Sequence, residues 1–107
     1  MSCIFCQVVQ KKIKSSIIYE DKNVIVFPDI SPRAKYHVLI VSKKHVTDFS
    51  DAEVQLLKEI VVVAQKLIYK EKLKEKGFRL VVNGGGAQII DHLHVHLMGG
   101  INKERVI

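Results

Sequence analysis

The sequence predicts an α+β domain: a mostly antiparallel five-stranded sheet with one long helix and a short N-terminal helix. Three observations carry that expectation. One stretch, residues 54–68, repeats apolar residues at helical spacing. Five shorter runs rich in β-branched and aromatic residues flank it on both sides, two of them separated by a turn signal. The order small helix, strands, long helix, strands lacks the strand–helix alternation of a parallel sheet. At 107 residues the chain has the size of one ordinary domain, and residues 1–107 are taken as a single unit.

Each element has a local reason. "CIFCQVVQKK" reads as a short helical turn with Ile4, Phe5 and Val8 on its apolar face. "SIIYED" and "NVIVFPD" are β-rich runs separated by "DKN", which predicts a hairpin. Pro28 and Pro32 bracket a loop, and "YHVLIVS" (36–42) follows as a strand. Ser50 and Glu53 fit a capping box that opens a helix at Asp51. Val54, Leu57, Ile60, Val61, Ala64, Leu67 and Ile68 recur along one helical face, and Gly77 is a natural stop. "FRLVVN" is the next strand, "GGGAQ" a glycine-rich loop, and "HLHVHLM" the last strand.

Composition narrows the function. Hydrophobic residues are 48% and charged residues 26%, a globular balance. No apolar run approaches the length of a membrane span, and "MSCIFCQ" has no signal-peptide pattern, so a cytoplasmic location is expected. The net charge of +6 favours anionic ligands, nucleotides among them. "KEKLKEK" mixes both signs and reads as a solvated helix end, and no RNA-binding aromatic motif is present, which argues against nucleic acid. Cys3 and Cys6 form one C-x-x-C, either a redox pair or half of a metal site.

"DHLHVHLMGG" carries the chemistry. Side chains alternate across a strand, so His92, His94 and His96 share one face and Leu93, Val95 and Leu97 the other. Such a row admits three readings: a polar strand face, a metal site, or nucleophilic and acid–base catalysis at a phosphate. The preceding "NGGGAQ" favours the last, because glycines let backbone amides turn towards an anion and Gln88 adds an amide donor. The loop lacks the Lys and Ser/Thr of a P-loop.

Histidines alternating with apolar residues, as in "HLHVHLM", are the signature that this sequence shares with the histidine triad (HIT) family of nucleotide hydrolases and transferases. "CIFCQVV", "YED", "VFPDISPRAKYHVLIVSKKH" and "VVN…AQ" resemble successive blocks of the branch containing the histidine triad nucleotide-binding proteins. The resemblance implies a HIT-like fold. It also implies hydrolysis of purine nucleoside phosphoramidates, or of related nucleotidyl esters and anhydrides, through a covalent nucleotidyl-histidine. In the triad of His92, His94 and His96, the middle residue His94 would be the nucleophile. His96 and Gln88 would bind the phosphate, with a main-chain carbonyl orienting the far nitrogen of His94. Ile4, Phe5, Val8, Phe27 and Ile30 would surround the base, Asp29 would hold the ribose hydroxyls, and Asn83 would lie near ribose and phosphate. His37 matches a histidine that supports the triad from behind.

Some branches carry a structural zinc, and the resemblance places its ligands at Cys3, Cys6, His45 and His92. Members of this branch are commonly homodimers, and the broad apolar face of "VQLLKEIVVVAQKL" suits a partner helix. Two rival functions are a nucleotide-binding module without catalysis and a metallohydrolase holding the histidine row on one ion. The sequence departs from relatives at Ile89, where a hydroxyl residue can serve the leaving group, and in a glycine loop shorter by about two residues.

Overall fold

The computed structural model describes residues 3–103. Helix α1 spans Ile4–Val9, followed by β1 (Tyr19–Glu20), β2 (Val24–Pro28) and β3 (Tyr36–Ser42). Then come helix α2 (Val54–Lys70), the short α3 (Leu73–Lys76), β4 (Phe78–Val82) and β5 (His94–Gly99). The five strands form one sheet in the order β1-β2-β3-β5-β4, with every neighbouring pair antiparallel. This is the α+β architecture expected. No helix among the described residues is long and apolar enough to cross a membrane.

The sheet is covered on both faces, which explains why β2 and β3 read as continuous apolar runs rather than alternating ones. Val24, Val26, Val38, Ile40 and Leu97 pack against Ile60, Val63, Ala64, Leu67 and Ile68 of α2. On the opposite face Ile25, Phe27, Leu39 and Val41 pack against Phe5 and Val8 of α1. In register, His94 opposes Val41 and His96 opposes Leu39, so these two histidines lie on the α1 face. Val95 and Leu97 belong to the α2 core. The expected hairpin forms between β1 and β2, closed by Asp21, whose Oδ1 accepts from the amides of Asn23 and Val24 at 2.8 Å each.

Three boundaries differ from expectation. The capping box does not form. Ser50 donates its hydroxyl to Asp48 instead, and Asp48 caps a 3-10 turn over Phe49–Asp51. The chain is extended at Ala52 and Glu53, so α2 begins at Val54 with no side-chain cap from Glu53. The long helix also stops early: Lys72 adopts φ +56°, and this break turns Leu73 into the core, where it is fully buried. Finally, the last strand starts at His94. His92 donates its amide to the Ile90 carbonyl at 2.9 Å, a local turn that takes residue 92 out of the ladder.

Gly77 does end the helical region. It sits at φ +80° and ψ 135°, and a Cβ there would overlap the main-chain carbonyl of Ile101. That carbonyl cannot retreat freely, because the amides of Gly100 and Ile101 both donate to the Gly77 carbonyl, at 3.0 and 3.2 Å. Gly77→Ala is expected to lower stability by about 2–3 kcal/mol. A denaturant midpoint equal to that of the unmodified protein would contradict this account.

Candidate functional site

The histidines of the α1 face are ordered by hydrogen bonds that settle which nitrogen carries the proton. His94 Nδ1 lies 2.7 Å from the main-chain carbonyl of His92. A carbonyl only accepts, so Nδ1 is the protonated nitrogen and Nε2 presents a lone pair. The edge-to-face contact with Phe5, centroids 5.0 Å apart, holds the ring from its side. His94 is 8% exposed, so the ring is held by protein on most of its surface.

His96 receives the opposite assignment. The Arg33 amide donates to His37 Nδ1 at 3.0 Å, so neutral His37 carries its hydrogen on Nε2. That nitrogen lies 2.9 Å from His96 Nδ1, which therefore accepts and leaves the His96 hydrogen on Nε2. Two neighbouring rings, centroids 5.1 Å apart, thus offer a lone pair at one Nε2 and a donor at the other. Asp29 closes the group: Oδ1 accepts from the Ser31 amide at 2.8 Å, while Oδ2 lies 3.4 Å from His37 Nε2 and 3.8 Å from His96 Nδ1. Burial pushes the His96 pKa down, and nearby His94, His37 and Arg33 push the same way against the opposing charge of Asp29.

Asp29, His37 and His96 are close enough to suggest a metal site. The tautomer argues otherwise, because the His37 nitrogen facing the group carries the hydrogen its other nitrogen cannot take. The triad rings also do not converge on one ion, since His92 points elsewhere. These observations count against the metallohydrolase reading.

His92 is fully buried beside the cysteines. Its Nε2 lies 2.7 Å from the Ser42 carbonyl and so carries the hydrogen, leaving a lone pair on Nδ1. That lone pair faces Cys3 Sγ at 3.3 Å and Cys6 Sγ at 3.5 Å, and His45 Nδ1 lies 3.2 Å from Cys6 Sγ. All four donor atoms lie within 4.8 Å of one another. Burial pushes the His92 pKa down, favouring the neutral, ligating form. Two sulfurs and two imidazole nitrogens at this spacing fit a closed tetrahedral zinc centre. α1 supports the cluster locally, since Cys3 caps it by accepting from the Cys6 amide.

The other expected residues divide. Phe5, Val8 and Phe27 are buried, with Phe5 and Phe27 in edge contact at 5.6 Å, so they form core beneath the histidines. Ile4 is half-exposed, and Ile30 stands 98% exposed in its loop, apart from that cluster. Asn83 is exposed just after β4. Gln88 is buried, with Nε2 donating to the Thr47 carbonyl at 3.2 Å and Oε1 unpartnered. Gly85 and Gly86 have φ of +63° and +89°, which accounts for two of the three consecutive glycines. Sequence reasoning missed Asp48, Thr47, Ser42 and the Arg33 amide. Only Asp48 had a signal: an Asp two residues before a Ser at a turn is a common cap.

Comparison with known proteins agrees with this geometry. The HIT domain family model matches residues 10–103. A 14 kDa zinc-binding protein of Zea mays is 39% identical over 104 residues, covering 91% of this chain and 80% of that protein. A HIT family hydrolase from Clostridium thermocellum has TM-score 0.90 and 37% identity over 99% of this chain and 96% of its own. One from Legionella pneumophila Philadelphia 1 has TM-score 0.86 and 42% identity over 94% and 95%. With its histidine row on the α1 face of an antiparallel sheet, and with these relatives across nearly its whole length, the chain belongs to the HIT family.

Proposed function

We propose that this protein is a nucleotide hydrolase that cleaves purine nucleoside phosphoramidates, or related nucleotidyl esters and anhydrides, through a nucleotidyl-histidine on His94. The observation that carries the proposal is the pairing of an unprotonated His94 Nε2 with a protonated His96 Nε2, set by the His92 carbonyl and the His37 ring. In the first step His94 Nε2 attacks the α-phosphorus and the bond to the leaving group breaks, its electron pair going with that group, which takes a proton from solvent when it is an amine. His94 becomes cationic and keeps its Nδ1 hydrogen, which it continues to donate to the His92 carbonyl. His96 donates to a phosphoryl oxygen and stabilises the charge that gathers there. The Gln88 amide has a second hydrogen beyond the one given to Thr47, and loop amides add to it. In the second step water attacks phosphorus, the nucleoside monophosphate leaves, and a proton is released. Ile89 cannot protonate a leaving group, so an amine takes its proton from elsewhere, whereas a phosphate or carboxylate leaving group needs none. Asp29 is the acceptor for the ribose hydroxyls, and the apolar surface of Ile4 and Ile30 lies against the base, with Asn83 nearby.

Cys3, Cys6, His45 and His92 would hold a structural zinc, which would crosslink α1, the segment after β3 and the stretch leading into β5. Cysteines kept reduced for such a centre suit the reducing cytoplasm. A second copy of the chain is the expected partner. β4 is an edge strand whose Phe78, Leu80 and Val82 are all exposed; Leu80 and Val82 oppose Leu97 and Val95, which puts this alternate set on the α2 face.

Three measurements test this. His94→Asn should bind AMP like the unmodified protein while losing about three or more orders of magnitude in turnover, with no trapped adduct. Near-normal turnover would end the covalent mechanism. Elemental analysis of untagged, unchelated protein should find about one zinc per chain; a value near zero would remove the metal. The third concerns pH. Unfolded His96 takes a proton near pH 6.5, roughly its ordinary value, whereas folded His96 takes it only at lower pH. The unfolded state therefore binds more protons in that window, and stability falls as pH drops below about 6.5. His37, His94, Asp29 and Arg33 surround the ring. His96→Asn should lose less thermal stability than the parent between pH 7.5 and pH 5.5 (about one unit either side of the ordinary value); equal losses would refute the assignment.

A further inference from the structure

The segment that follows β3 touches the functional site at four consecutive residues. His45 Nδ1 lies 3.2 Å from Cys6 Sγ. The Val46 carbonyl accepts from the Leu93 amide at 2.7 Å, at the entry to β5. The Thr47 carbonyl accepts from Gln88 Nε2 at 3.2 Å. Asp48 Oδ2 accepts from the Gly85 amide at 2.8 Å.

Asp48 is the least expected of these. Its carboxylate is buried, and it sits behind a loop whose partner, on the reading above, is an anion. Charge alone would disfavour an acid there. The reason for it lies in the number of acceptors. Oδ1 takes both the amide and the hydroxyl of Ser50, and Oδ2 takes the Gly85 amide. An asparagine has one acceptor oxygen and could not serve both sides. These bonds, that of Gly85 foremost and the Ser50 hydroxyl next, hold the carboxyl below the usual carboxylate range, so it is ionised at neutral pH.

A second observation points the same way. Gly84 has no positive φ to explain it, yet a Cβ there would lie 3.3 Å from Asp48 Oδ2 and 3.4 Å from Cγ. A Cβ at Gly84 would therefore crowd the carboxylate, which would have to give by a few tenths of an ångström. Gly85 and Gly86 are different: a Cβ on either would meet nothing within 4 Å, and they are required by backbone conformation. Asp48 thus lies close against one glycine and anchors the amide of the next.

We propose that Asp48 is a positioning residue. It spends the Gly85 amide to fix the glycine loop in the shape that presents the loop's remaining donors to the substrate phosphate, with the Gln88–Thr47 bond holding the loop's far end. The proposal rests on the nucleotide-binding reading above for its ligand, but the anchoring itself does not depend on the chemistry at His94.

The test uses full-length protein with AMP as probe and amide hydrogen exchange at Gly85 as an independent readout. Asp48→Ala should accelerate Gly85 exchange and weaken AMP binding, each by about tenfold, as loss of a bond to a charged acceptor implies. With a phosphoramidate substrate, KM should rise more than kcat falls. Ser50→Ala removes a donor from the other carboxylate oxygen, and should leave both AMP affinity and Gly85 exchange as in the parent. Should Asp48→Ala fail to fold, Gly84→Ala carries the test. Its methyl group presses the carboxylate away from the loop, and it should weaken AMP binding by a smaller factor in the same direction. Unchanged AMP affinity in the folded variant, or an equal loss in Ser50→Ala, overturns the proposal. Parent protein that binds AMP and protects Gly85 yet never forms an adduct would instead remove the catalytic reading and leave Asp48 in place.

Discussion

His92 is the residue through which the two halves of the site are joined. Its ring and its main chain face different partners. The ring gives its Nε2 hydrogen to the Ser42 carbonyl and turns its Nδ1 lone pair to Cys3 and Cys6. Its carbonyl, meanwhile, holds His94 Nδ1 and so makes His94 Nε2 the open nitrogen. The ring therefore orients the carbonyl, and the carbonyl orients the ring two residues on. A His92 free to rotate would release both the tautomer of His94 and the position of the strand entry. Full burial of His92 makes such freedom costly, because its polar nitrogens would lose partners that no water replaces.

The sheet separates packing from chemistry. On the α2 face, aliphatic side chains of β2, β3 and β5 meet one stripe of a long helix. On the α1 face a smaller apolar cluster supports His94 and His96 from beneath, with Phe5 reaching both His92 and His94 by its ring edge. The chain after β3 then ties the loops above this face together at residues 45–48. A short N-terminal helix could not hold such a surface by hydrophobic area alone. Cys3 and Cys6 also gather against His45 and His92, which adds polar contacts between α1 and the sheet.

Much of this was legible beforehand, for reasons that can be named. Period-two alternation survives in β5 because one face of the strand packs on α2 and the other carries imidazoles. Helical spacing survives in α2 because one stripe faces the core, and the hairpin is encoded by the Asp21–Asn23 turn. The boundaries were less legible. Ser50 has two possible partners, Glu53 by the capping box and Asp48 by the turn, and the structure pairs it with Asp48, whose other oxygen takes the distant Gly85 amide. Lys72 breaks the long helix although nothing in its side chain requires it. The break follows from the burial of Leu73, a tertiary demand.

The sequence by itself determined the elements, the two faces of the last strand and the set of residues able to do chemistry, because those depend on spacing along one chain. The tertiary structure alone decided which imidazole nitrogen is open, which histidine turns to sulfur, and why the loop needs Asp48. Each of these depends on partners brought from distant positions, such as His37 with His96 or Asp48 with Gly85. A proton's place on a ring is set by the group it faces, and no local pattern records that neighbour.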